Sequence, residues 1–254
     1  MRLDGKVAAI TGAGSGMGRA MAQLFAAEGA KIVAADWHHG ALEETEALVT
    51  DAGGTFIGVE ANVANQAEAE TIIAAALDVY GRLDVLVNNA GVMDNNHGAA
   101  EMSNETWERV LGINLNGPMY LTRKAIPLMR ATGGGSIINI ASVAGVGGGA
   151  AGLAYTVSKH GLVGMTKQTA WRYALEGIRC NAIAAGAVAT NIQQSVDLSK
   201  SDPVGSARAQ AYYAAIPGQL QPADIANLAL FLASDESAKI NGAIIPADAG
   251  WLSA

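Results

Sequence analysis

One cysteine, Cys180, occurs in 254 residues, so no intrachain disulfide is possible. It lies in IRCNAI, an apolar strand-like run that reads as the place of an inert buried thiol. Charge is scarce as well. Only 15% of residues are Asp, Glu, Lys or Arg, against 50% hydrophobic. That balance points to much buried surface, within the fold or between subunits. The sequence has no run of basic residues, and its net charge is −7. An acidic chain of this kind makes a poor partner for nucleic acid or an anionic membrane. The opening MRLDGKVAAITG lacks the shape of a signal peptide, because Asp4 and Lys6 precede only a short apolar run. The uncharged stretch from Ala131 to Ser158 is long enough to raise a membrane span, but it is rich in Gly and broken by Ser136, Asn139, Ser142 and Thr156. A strand, loop and helix fit it better, and a cytoplasmic location is expected. No fixed-period repeat or low-complexity tail is present. Four histidines are scattered and do not form a metal site: His38 and His39 are adjacent, His97 is in a loop, and His160 follows Lys159 on a helix.

What the chain does contain is an alternation. Apolar strand-like runs (KVAAIT, KIVAAD, TFIGVE, LDVLVNNAG, SIINIAS, GIRCNAI and a last one near 242–246) are separated by helical stripes such as Met17, Ala20, Met21, Leu24 and Phe25. Helices are predicted near 41–51, 65–80, from Ser103 or Asn104 onward, from about 154, and near 222–233; 185–220 reads as irregular. Continuous apolar strands between helices imply a parallel sheet covered on both faces. The predicted fold class is α/β, a single Rossmann-like doubly wound parallel sheet of about seven strands, with residues 1–254 as one domain. Ligands in such sheets sit beyond the carboxyl ends of the strands.

Two features fall at that edge. TGAGSGMG, Thr11 to Gly18, follows the first strand and opens the first helix; Gly12, Gly16 and Gly18 suit a tight turn and a close approach to a pyrophosphate. A glycine-rich loop alone is a weak signal, a flexible turn being the plain alternative. Asp36, however, ends the second strand 18 residues after Gly18, where a carboxylate can bind both hydroxyls of an adenine ribose and repel a 2′-phosphate. NAD is therefore the predicted cofactor.

Further along, Asn88 to Gly91 reads NNAG, Asn114 lies in GINLNG, Ser142 in IASVAG, and Tyr155 and Lys159 in AYTVSKHG, with Ser142 13 residues before Tyr155. With the glycine loop, these motifs resemble the short-chain dehydrogenase/reductase family from Gly5 to Gly250. The resemblance implies a catalytic set of Asn114, Ser142, Tyr155 and Lys159. It also implies a cofactor set of Gly12, Ser15, Gly16, Met17, Gly18, Asp36, Trp37, Asn62, Val63, Asn89, Ala90, Gly91, Tyr155, Lys159, Gly186, Val188 and Thr190. Lys159 is implied to hold the nicotinamide ribose, Asn114 a relay water, and Val188 and Thr190 the carboxamide. Ser15 and Trp37 stand where phosphate-binding relatives often carry Arg or Lys.

The residues make chemical sense by themselves. Tyr155 and Lys159 are four apart and leave one face of a helix. A free phenol has a pKa near 10; a neighbouring ammonium and a positive nicotinamide ring favour the phenolate. Tyr155 then exchanges a proton with an alcohol or carbonyl while Ser142 holds the same oxygen. Three positions depart from the family pattern: Ala185 replaces a Pro before Gly186, Asn62 replaces an Asp, and Ala249 replaces a Gly between Asp248 and Gly250. The expected activity is NAD-dependent hydride exchange with a secondary alcohol or ketone. The rivals are an NADPH-dependent 3-oxoacyl carrier reductase and a non-catalytic NAD-binding sensor. Segments 92–98, 143–153 and a lid at 186–217 carry few cations and many small or apolar residues, which suits a small neutral alcohol or ketone. The family resemblance adds a homotetramer built on the helices near 104–130 and 154–176.

Overall fold

The computed structural model describes residues 1–253, the side chain of Leu198 excepted. Seven strands form one parallel sheet: β1 (Val7–Thr11), β2 (Lys31–Asp36), β3 (Thr55–Glu60), β4 (Val85–Asn88), β5 (Gly135–Ile140), β6 (Ile178–Ala185) and β7 (Ile244–Ala247). Their spatial order is β3-β2-β1-β4-β5-β6-β7. The order reverses between β1 and β4, so the crevice beyond their carboxyl ends is the topological switch point.

Parity along each strand decides the two cores. Ala8 and Ile10, Ile32 and Ala34, and Val85 and Val87 pack on one face against α1 (Gly16–Ala27), α2 (His39–Asp51) and α8 (Pro222–Ala233). Val7 and Ala9, Val33 and Ala35, Leu86 and Ile137 face the other way, toward α3 (Gln66–Tyr80), α5 (Gly117–Ala131) and α6 (Leu153–Tyr173). Strands buried on both faces are apolar at most positions, and β1 is buried at all five. Burying a Leu, Ile or Phe stabilises by roughly 1.5–3 kcal/mol each, which makes these layers the main source of rigidity under the site.

Helix starts follow local chemistry. Asn65 accepts from Ala67 and Glu68 ahead of α3, and Ser103 accepts from Thr106 ahead of α4 (Asn104–Leu111). Between α4 and α5 the chain makes a π-helical turn, Gly112–Asn116, so the two form one bent helix. The 185–220 region is more regular than its sequence suggests. Asp202 caps α7 (Pro203–Tyr213), with Pro203 at the first position, and short 3₁₀ turns cover Asn191–Ser195 and Leu198–Lys200. The short α7 lacks a clear apolar stripe, which hid it from a periodicity reading.

The uncharged 131–158 stretch divides into the end of α5, β5, a short turn and the start of α6. No helix among the described residues is long and apolar enough to cross a membrane.

Candidate active site

The site begins where β1 ends. Gly12 and Gly16 have φ of 63° and 51°, a region that favours glycine. A methyl on Gly18 would overlap the Gly12 carbonyl and come within 2.7 Å of Asn89 Nδ2. The extended residue before α1, Ser15, makes no side-chain cap. The first N–H groups of α1 are thus left for an anion beside a bare backbone cradle. At the end of β2, the Asp36 carboxylate accepts from Gly14 N at 3.0 Å and His38 N at 3.1 Å. The next residue, Trp37, is exposed. The nearby guanidinium of Arg19 is already engaged, with Glu44 at 2.7 Å, Thr45 Oγ1 at 3.0 Å and the Gly14 carbonyl. Asn62 follows β3. Its Oδ1 accepts from Ala64 N at 3.0 Å, and its amide is left to donate; Val63 beside it is buried against Gly117.

The end of β4 is tied to β1. Asn89 N and Ala90 N donate to Thr11 Oγ1 at 3.0 and 3.1 Å, and Asn89 Nδ2 donates to Thr11 O at 2.8 Å. Asn89 Oδ1 is buried with no partner, a free acceptor at the edge of the crevice. Bare glycine cradle, unpartnered acceptor and terminal carboxylate together fit a dinucleotide. Thr190 reaches the same place from the far side: a Cβ on Gly16 would meet its Cγ2 at 3.1 Å. Gly186 presses on Asp248, where a Cβ would lie 2.7 Å from Asp248 Cα, and Val188 bridges to Leu220. Ala185, in the family's proline position, lies within β6 and pairs with Ala247. Its backbone is therefore fixed by the sheet where a ring would otherwise fix it.

Asn114 sits in the π-helical turn and is fully buried. The extra residue in that turn aims the side chain across to the loop after β4. Asn114 Oδ1 accepts from Val92 N, and Nδ2 donates to Val92 O, all at 2.9 Å; Nδ2 also donates to Ser158 Oγ at 3.1 Å. Ser142, just past β5, accepts from Ala144 N at 3.1 Å. Tyr155 and Lys159 project from α6 and are buried, with Lys159 Nζ 5.4 Å from the Tyr155 ring centre. Lys159 Nζ donates to Ile140 O at 2.8 Å.

In the nucleotide-free protein, burial sets their protonation. Burial pushes the Tyr155 phenol up to about 12; the facing Ser142 hydroxyl opposes the rise, while Tyr213 and Asp94 add to it. Burial pushes Lys159 down to about 8. In the protein alone desolvation outweighs the neighbouring ammonium, so the phenol is held protonated at neutral pH.

Around Tyr155 lies an apolar cluster that includes Met93, Val143, Tyr212, Tyr213, Ile216 and Trp251. Trp251 packs on Tyr212 with ring centres 4.8 Å apart, and its Nε1 is buried without a partner. Sequence reasoning missed Trp251 because it lies past the last strand. The many small residues of segment 143–153 leave room above Ser142. Tyr212 takes part of that room, since a Cβ on Gly149 would meet its ring at 3.0 Å. The histidines are occupied elsewhere: His38 caps α2, His39 pairs with Glu43 and Glu60, His97 contacts Lys200 O, and His160 contacts Thr156 O. Cys180 is buried, its thiol pushed up to about 12 by burial.

A family model described as enoyl-(acyl carrier protein) reductase matches residues 12–252. A 3β-hydroxysteroid dehydrogenase of Eggerthella lenta is 41% identical over 98% of this chain and 95% of its own. The chain is a short-chain dehydrogenase/reductase. Among solved structures of this family, one from Mycobacterium paratuberculosis bound to NAD superimposes with a TM-score of 0.90 at 31% identity, covering 100% of both chains. A chain from Agrobacterium tumefaciens with bound NADP superimposes at 0.85, with 33% identity over 99% of this chain and 98% of that one. The chain is accordingly an oxidoreductase with a nicotinamide dinucleotide site, in a family whose members take either cofactor.

Proposed function

We propose that this short-chain dehydrogenase/reductase transfers hydride between NAD(H) and a neutral secondary alcohol or ketone, with Tyr155 as general acid and base. The observation that carries the reading is the convergence of Ser142, Tyr155 and Lys159 beyond β5, beside the glycine crevice and under an apolar wall. When bound, the nicotinamide takes or gives the hydride. The residues of this chain do the rest. Tyr155, protonated at neutral pH, donates to the oxygen of a ketone; in the other direction it accepts the proton of an alcohol. Ser142 donates to the same oxygen and so fixes the carbonyl relative to the phenol. Lys159, still mainly charged below about pH 8, offsets phenolate charge and would hold the nicotinamide ribose. Asn114 holds the π-helical turn against Val92 and serves a proton relay toward solvent.

Cofactor choice rests on Asp36. Its carboxylate stands over Gly14, and the following Trp37 brings no cation. A 2′-phosphate placed there would meet a like charge. Gly12, Ser15, Gly16, Met17 and Gly18 would hold the pyrophosphate; Asn62 and Val63 the adenine; and Asn89, Ala90, Gly91, Gly186, Val188 and Thr190 the nicotinamide half. Segment 186–217 serves as the substrate lid, with Lys200 already paired to Asp197 at 3.6 Å. An apolar wall with few free cations suits an uncharged substrate better than a phosphate or carboxylate. Assembly as a homotetramer through the α4–α5 helix and α6, in the cytoplasm, completes the reading.

The test compares kcat/KM for neutral cyclic secondary alcohols against 3-hydroxyacyl thioesters and hydroxy acids, with both cofactors. Neutral alcohols with NAD should lead. Tyr155→Phe should lower kcat by about three orders of magnitude while NAD affinity stays close to normal, the ring remaining and only the acid/base oxygen going. A preference for acyl thioesters with NADPH, or a Tyr155→Phe enzyme at most of the parent rate, would overturn the proposal.

A further inference from the structure

We propose that Asp94 is a positioning residue for Tyr155: its buried carboxylate caps the amino end of α6 and fixes the backbone from which the phenol projects. The inference rests on the acid/base reading of Tyr155 above, but the observations are separate from it.

The residue before α6 is Gly152, which has no side chain to cap the helix. The cap comes from another part of the chain. Asp94 Oδ1 accepts from Gly152 N at 3.0 Å, and Oδ2 accepts from Tyr155 N at 3.0 Å. Asn96 N adds a third bond to Oδ1 at 3.2 Å, and Leu153 N donates to His97 O at 2.9 Å. Asp94 is 0% exposed, and among the described residues no Lys, Arg or His pairs with it. Its charge is held by N–H groups and by the positive end of a 21-residue helix. Gly152 is shaped to this contact: a Cβ there would come within 2.6 and 2.7 Å of the two carboxylate oxygens.

The loop that carries Asp94 is itself fastened to the lid. Met93 N donates to Ser195 Oγ at 2.9 Å. Asn95 Oδ1 accepts from Asp197 N, and Asn95 O from Asp202 N, both at 3.1 Å. His97 Nε2 contacts Lys200 O at 2.6 Å, and Arg109 donates to Met93 O at 2.9 Å. Residue 96 takes a left-handed φ of 57°, which Asn tolerates better than most residues. The carboxylate thus has one place to be, between lid and catalytic helix.

Asp94 also acts on the phenol through charge. The groups facing Tyr155 are Ser142 from the turn after β5, Tyr213 from α7, Lys159 from its own helix and Asp94 from this loop. Asp94 is the anion among them and opposes the phenolate. Alcohol oxidation needs the phenolate, so its rate rises with pH through the apparent pKa of Tyr155. Removing the charge of Asp94 moves that rise to lower pH, while the looser helix end lowers the plateau.

The experiment uses the full chain with NAD and a neutral secondary alcohol, in three variants. Asp94→Asn should lower plateau kcat about ten- to a hundredfold, shift the acid limb to lower pH, and raise amide hydrogen exchange at Gly152 and Tyr155. Gly152→Ala keeps the charge but displaces it; kcat should fall similarly with the acid limb nearly in place. Tyr155→Phe is the reference. The proposal is overturned if Asp94→Asn keeps the parent kcat, or if its acid limb and its exchange at Tyr155 both match the parent. Should Asp94→Asn not fold, Gly152→Ala at the parent rate overturns it equally. A fully active Tyr155→Phe enzyme would instead sink the acid/base reading, and exchange at Gly152 and Tyr155 in Asp94→Asn would still report on the cap.

Discussion

Replacing Lys159 with Met should make the nucleotide-free protein more stable at neutral pH, even as it removes turnover. Lys159 is almost fully buried, and burial pushes it from 10.5 to about 8. Its ammonium has three donors, and the hydrogen bond it makes is to Ile140 O. A fall of about 2.5 units at about 1.36 kcal/mol per unit sets the folded state at a disadvantage of about 3 kcal/mol wherever both states are protonated. That disadvantage is fully present below pH 8. Between pH 8 and 10.5 the folded protein releases the proton first, so the unfolded chain binds more protons and stability rises with pH. The Met side chain keeps the apolar stem and drops the charge. At pH 7 the variant should gain about 2–3 kcal/mol, read as a urea midpoint higher by about 1 M. The gap should close as pH approaches 10.5, since the parent gains and the variant does not. Tyr155 and Cys180, each pushed up to about 12, weaken the fold above about pH 9–10 in both proteins and cancel in the difference. Urea unfolding of both proteins at pH 7, 8.5 and 10 checks this. A variant no more stable at pH 7, or a gap that ignores pH, would refute the reasoning.

Asp36→Ala should shift the ratio of kcat/KM for NADP over NAD upward by about ten- to a hundredfold. Two like charges about 4 Å apart near a protein surface repel by up to about 4 kcal/mol, and partial exposure of Asp36 removes roughly half of that; an unmoved ratio would remove Asp36 from cofactor choice. Ala249→Gly should raise Tm by about 2–4 °C, because Ala249 holds φ of 56° where the family carries glycine, a conformation costing an L-residue about 1–2 kcal/mol. No gain in a thermal melt would mean that the turn is unstrained.

The strands and the switch-point crevice were legible because their causes are local. Every position of β1 is buried, so the strand reads as a continuous apolar run, and β2 and β4 read alike. The bound edges of α3, α4 and α8 follow from Asn65, Ser103 and Pro222, each of a type that caps or starts a helix. The protonation of Tyr155 was not legible in the same way. The sequence shows an ammonium four residues away, but the extent of burial around the phenol depends on Met93, Tyr213 and Trp251, which arrive from three distant segments. Their desolvation outweighs the pair.

The contrast between the glycine loop and Asp94 shows what makes a functional residue readable. Gly12 and Gly16 adopt positive φ, and Gly18 sits where any side chain would strike the Gly12 carbonyl. Such positions admit one residue type, so spacing alone exposes them. A helix cap admits several residue types and can be supplied from anywhere in the chain. Asp94 is 58 residues from Gly152 and 61 from Tyr155, and nothing in VMDNNHG announces that its acid will turn inward to a helix end. One trace of it does survive in the sequence. The helix bearing Tyr155 starts after a glycine, with no Ser, Thr, Asp or Asn at its cap. A helix left uncapped by its own residues is open to an acceptor from outside, and the loop after β4 holds the only acid between Asp84 and Glu101. The missing cap at Gly152 finds its acceptor in Asp94 only once the fold brings the loop after β4 to the start of α6.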